Sequence, residues 1–98
     1  MSVEVVHEPE QQRYAAYVAA ELAGFTEYVV TAEPALITFV HTEVGDAFGG
    51  QGVGGAIARA ALDDVRARGT HRVVPQCPFI RGWIDKHPDY ADLVAEPG

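Results

Sequence analysis

The sequence predicts an α+β fold of about four antiparallel strands followed by a helix, a strand and a second helix. Two observations carry this. The hydrophobic period changes from two to about 3.6 across a glycine-rich loop near residue 50. No repeat, linker or low-complexity segment interrupts that order, and 98 residues, 48% of them apolar, suffice for one modest core, so residues 1–98 read as a single domain.

Val3, Val5 and Val6 give a short apolar start, Glu8 to Gln12 a polar turn, and Tyr14, Ala16 and Val18 then alternate, which reads as a hairpin. Gly24 punctuates. Phe25 to Thr31 supplies aromatic and β-branched residues, Glu33-Pro34 turns, and Ala35 to His41 forms the next strand. Ala19 to Ala23 is ambiguous, since its alanines with Glu21 and Leu22 also suit a short helical turn. Beyond the loop, Val53, Ile57, Ala61 and Val65, joined by Ala60 and Leu62, form an amphipathic helix. Gly69 ends it, with Arg66 and Arg68 beside its C-terminal carbonyls. His71 to Pro75 reads as a strand. Pro78 opens a second helix with Phe79, Ile80, Trp83, Ile84 and His87 on one apolar face, and Pro88 closes it.

A net charge of −7 argues against a nucleic-acid binder, which needs a basic face to displace counterions. The acids are uneven: residues 1–50 hold eight against Arg13 alone, which suits a cationic substrate as well as a solvated surface. No segment reaches membrane-spanning length, and the N-terminus lacks the basic flank and apolar run of a signal peptide, so a soluble cytoplasmic protein without a membrane partner is expected. Cys77 is the one cysteine, and His7 and His71 lack spaced ligand partners, so no metal site is expected.

Five glycines fall between Gly49 and Ala56, directly before a helix whose first amides have no internal partners. Glycine lets several backbone amides converge on a phosphate while the helix dipole adds attraction. Gly54 and Gly55 each cost the helix roughly 1 kcal/mol against alanine, so they call for a reason. A P-loop is excluded, because neither lysine nor hydroxyl follows the last glycine. A dinucleotide fingerprint matches formally at Gly50, Gly52 and Gly55, yet Gly45 to Phe48 separates the strand from the loop and no acid lies about 20 residues on.

The run His41-Thr42-Glu43-Val44, the loop Gly50-Gln51-Gly52-Val53-Gly54, and Val74-Pro75-Gln76-Cys77-Pro78-Phe79 through His87-Pro88-Asp89-Tyr90 resemble the short single-domain GNAT-like acetyltransferases over about residues 3–94. The resemblance implies a minimal GNAT-like fold and an enzyme moving an acetyl group from acetyl-CoA to a primary amine, without a metal. It implies that Val44, Gly49, Gly50, Gln51, Gly52, Val53, Gly54, Gly55 and Ala56 hold the cofactor, their loop amides on its pyrophosphate. Gly49 stands where the family pattern has Gln or Arg, so a phosphate-supporting side chain is missing or is supplied by Arg59.

Three residues are the candidates for chemistry. Cys77 precedes Pro78 at a helix start, where a thiol can be activated, and the resemblance independently sets it beside the thioester; the ordinary alternative is a buried small apolar residue. His41 and Glu43 share a parity at the end of the strand entering the loop and could form a base pair. Ile37 and Phe39 share that parity and belong in the core, so exposing the pair requires a bend or bulge near His41. His87 reads as structural. Direct transfer and a two-step route through Cys77 both fit. The acceptor is a small-molecule or protein or peptide amine, with a partner chain a candidate to complete its site. The alternative function is a non-catalytic CoA or acyl-CoA module acting with a partner protein.

Overall fold

The alternating segments pair as an antiparallel meander in the computed structural model, which describes residues 3–49 and 52–95. Its strands are β1 (Glu4–Glu8), β2 (Arg13–Val18), β3 (Glu21–Ala32) and β4 (Ala35–Val44). Helix α1 (Val53–Arg68) then leads to β5 (Arg72–Pro75), which joins parallel to β4, and α2 (Pro78–Lys86) follows. Sheet order equals chain order, β1-β2-β3-β4-β5.

Ala19–Ala23 does not form the helical turn its composition allowed. Ala19 and Ala20 have φ of 51° and 68° and make a tight hairpin turn, whose mirror-image twist matches the flanking strands. Strand pairing overrides alanine's helix propensity here. β3 therefore starts at Glu21 and contains Gly24, where a Cβ would meet the Glu43 carbonyl at 2.6 Å.

Both helices pack on one sheet face. Tyr14, Tyr28, Ile37 and Phe39 meet Ala58, Ala61, Leu62 and Val65 of α1 and Ile80 and Ile84 of α2 in one buried cluster. A second cluster joins Ala16, Val18 and Ala23 to Val53 and Ile57 under the start of α1. Ile80 and Ile84 thus fulfil the apolar face expected of α2, but Phe79 is 41% exposed and lies outside the core. Gly69, at φ 67°, closes α1 through a bond from its amide to the Val65 carbonyl.

A polar network fastens the sheet to the far half of α1. The Tyr14 hydroxyl donates to Asp64 at 2.7 Å, and Arg68 reaches the same oxygen at 2.8 Å. His7 stacks on Tyr14 at 4.3 Å and lies 2.6 Å from the Tyr28 hydroxyl. A guanidinium only donates, so Arg68 at 3.3 Å makes His7 Nδ1 an acceptor and leaves Nε2 to donate to Tyr28. Burial holds the His7 imidazole below its usual range, with Asp64 pulling the other way. Burial and the Asp64 carboxylate push the Tyr14 phenol far upward.

The last segment is clamped to β5. Arg66 holds both carboxylate oxygens of Asp92, and Arg72 donates to the Asp92 and Val94 carbonyls. His87 stacks on Trp83 and donates from Nδ1 to the Trp83 carbonyl at 2.7 Å, which makes it the structural cap expected. Among the described residues, no helix is long and apolar enough to cross a membrane.

Candidate active site

The sheet opens where β4 outlasts β5. Their pairing runs from Leu36↔Arg72 to Phe39↔Pro75, after which β4 continues to Val44 while the segment after β5 turns into α2. A bond from the Cys77 amide to the Phe39 carbonyl, 2.8 Å, closes the vertex of the resulting wedge. Beyond it, Val40–Val44 has no β5 residue opposite. Such a strand edge can take an extended, amide-bearing ligand as an added strand would.

The wedge leads toward the N-terminus of α1. Gly52 caps that helix at φ 74°, a conformation glycine adopts without steric cost, and the first helical bond runs from Ala56 to the Gly52 carbonyl at 3.0 Å. That bond leaves the amides of Val53, Gly54 and Gly55 ahead of the helical ladder, with no side-chain cap and no acidic residue in the first turn. The Val53 side chain is buried and anchors the turn, while Gly52 has open space around it. Such a helix start suits an anion. Gly50 and Gln51 lie outside the described residues. Gly49 ends a short 3-10 turn, and its amide is 3.3 Å from the Asp46 carbonyl, so it is partly engaged already. Val44 packs against the cluster beneath α1.

Cys77 caps α2 and is 4% exposed. Its sulfur lies 3.2 Å from the Thr42 hydroxyl, which is 2.9 Å from the Thr26 hydroxyl. His41 and Glu43 point the other way. Phe39 pairs with Tyr28 and His41 with Glu27, which leaves Val40 as a bulge. The bulge reverses the facing of β4: Phe39 remains in the core, Thr42 turns toward the helices, and His41 and Glu43 emerge on the bare face. Both are more than half exposed, 3.6 Å apart. The bend required to expose them is present. Directly across from His41 stands Glu27, so two carboxylates flank this imidazole.

A family model described as GCN5-related N-acetyl-transferase matches residues 13–93. The chain belongs to the GCN5-related N-acetyltransferase family. Two solved acetyltransferases share the fold. One is a ribosomal-protein-alanine N-acetyltransferase from Brucella melitensis biovar Abortus 2308 (TM-score 0.56, 20% identity, 87% of this chain and 62% of that one). The other is an aminoglycoside acetyltransferase from an uncultured soil metagenomic sample, in complex with sisomicin (TM-score 0.59, 19% identity, 88% and 59%). This chain therefore spans about three fifths of the length of these neighbours. A comparison with curated proteins gave no match.

The Arg59 guanidinium lies 5.4 Å over the Trp83 ring and 3.4 Å from the Tyr90 hydroxyl. Phe79 packs on α1 instead of in the core, 2.7 Å from where a Gly54 Cβ would stand. Sequence reasoning also missed Thr26, Thr42 and Glu27. The strand parity Thr26 shares with Tyr28 was the available signal for the first, but the other two needed the strand register. Among the described residues, no three His, Cys, Asp or Glu side chains are grouped to hold a metal.

Proposed function

We propose that the protein transfers an acetyl group from acetyl-CoA to a primary amine. The observation that carries this is the wedge between β4 and β5, with Cys77 at its vertex and the uncapped start of α1 beyond its mouth. These groups fit the cofactor: the Val53, Gly54 and Gly55 amides suit the pyrophosphate, and the free edge of Val40–Val44 suits the amides of the pantetheine arm. Bound acetyl-CoA would supply the activated acyl carbon as a thioester. Cys77 holds a proton at Sγ on the helix side of β4. His41, flanked by Glu27 and Glu43, can accept one on the bare side. An amine arriving from the bare face would meet the base first, and the carboxylates there favour a cationic acceptor, whether a small molecule or a protein tail.

That bare face also favours a second reading, a CoA-binding module completed by a partner protein, since Val29 on it is 48% exposed. Transfer assays over polyamines, amino-acid amines and peptides, with hydrolysis followed in parallel, separate the two. Turnover that falls at least tenfold in both Cys77→Ala and Glu43→Gln supports the enzyme and these roles. Tight CoA binding with neither transfer nor hydrolysis supports the module.

A further inference from the structure

We propose that Thr42 and Thr26 form a reversible hydroxyl relay that governs whether the Cys77 sulfur carries its proton, acting as positioning residues for the reaction. The proposal rests on the reading of Cys77 given above, but its test needs no acyl donor. Thr26 and Thr42 are direct cross-strand partners on the helix side of the sheet. Thr26 Oγ1 lies 3.3 Å from the His41 carbonyl oxygen, which can only accept, so the Thr26 hydrogen goes there. Its oxygen then accepts from Thr42 at 2.9 Å. With that hydrogen committed, the Thr42 oxygen accepts the S–H of Cys77 at 3.2 Å. The three hydrogens run one way, from sulfur to Thr42 to Thr26 to the backbone.

Loss of the thiol proton, to solvent base in a titration and to the departing thiolate during transfer, reverses the chain. The Thr42 hydrogen turns to the sulfur and the Thr26 hydrogen turns to the Thr42 oxygen. The His41 carbonyl loses the longest of the three bonds, and no other proton changes atom. Thr26 has no solvent exposure and Cys77 only 4%, while Thr42 between them is half-buried, so the thiolate itself meets little water and the Thr42 hydroxyl is its nearest donor. The charged groups nearby are otherwise engaged. His41 and Glu43 of β4 lie on the opposite face, Arg81 of α2 bonds the Pro75 carbonyl, Asp63 of α1 is held by Tyr90, and Arg59 lies over Trp83. Among the described residues, the sulfur hydrogen-bonds to Thr42.

The chain has one cysteine, so protein labelled with ¹³Cβ-cysteine gives one resonance whose pH titration reports its protonation directly. Thr42→Val should raise the titration midpoint by about one pH unit or more, because the thiolate loses its donor. Thr42→Ser should restore it. Thr26→Val should lower it, because the sulfur is then the protein partner left to the Thr42 hydrogen. If Thr42→Val does not fold, Thr42→Ala is read in the same way. An unchanged midpoint without the Thr42 hydroxyl, or shifts of the same sign at both threonines, would overturn the relay. CoA titrated into the same samples keeps the two readings apart: binding with unmoved midpoints sinks the relay alone, and opposite midpoint shifts without binding sink the CoA reading alone.

Discussion

At Gly54 two demands meet. Its amide belongs to the turn proposed to hold the pyrophosphate, and its missing Cβ makes room for the Phe79 ring at 2.7 Å. Alanine in place of a helical glycine ordinarily gains about 1 kcal/mol. Here that gain should appear only once the ring is gone: Gly54→Ala is expected to be neutral or destabilising in the wild type and stabilising by about 1 kcal/mol in a Phe79→Ala background, measured by denaturant unfolding. Equal effects in the two backgrounds would contradict Phe79 as the reason. Individual residues were unevenly legible. Pro78 marked Cys77 as a helix start in the sequence, whereas Thr42 was hidden because its facing depends on the Val40 bulge, which exists only in the pairing of β4 with β3. The same bulge frees His41 and Glu43 from the core parity of Ile37 and Phe39.

Among the elements, α1 and the meander were readable from period alone, because burial imposes it on both. The β2–β3 turn was not, since left-handed alanines are a consequence of strand twist and carry no composition signal. The attachment of α1 to β1, β2 and β3 through His7, Tyr14, Tyr28, Asp64 and Arg68 was equally silent, its members lying up to 61 positions apart. It gives the fold a pH dependence. Burial depresses the His7 imidazole below its usual 6.5, so the unfolded chain takes up a proton that the folded one resists. That contribution to stability is complete above about pH 6.5 and declines as the pH falls through this value toward the folded one. Burial raises Asp64, but the bonds from Tyr14 and Arg68 outweigh it, and the net depression places Asp64's own loss at lower pH. Unfolding free energy should therefore drop between about pH 7.5 and 5.5, and His7→Gln should flatten the curve over that window. Parallel curves for the two proteins would show that another group is responsible.

Among the described residues one sheet face is covered by the helices and the other is bare, and the sheet opens between β4 and β5 at the end nearest the start of α1. Its neighbours of known structure are longer chains. The net charge of −7 opposes an anionic ligand at long range, so the proposed recognition of CoA rests on amides aimed at it from within a few ångströms. Amide shifts of ¹⁵N-labelled protein during a CoA titration test this most directly. The account predicts saturable shifts centred on Val53, Gly54 and Gly55 and along His41–Val44, with the far end of α1 unmoved. Shifts absent from those residues under CoA, or produced there by NAD alone, would contradict it.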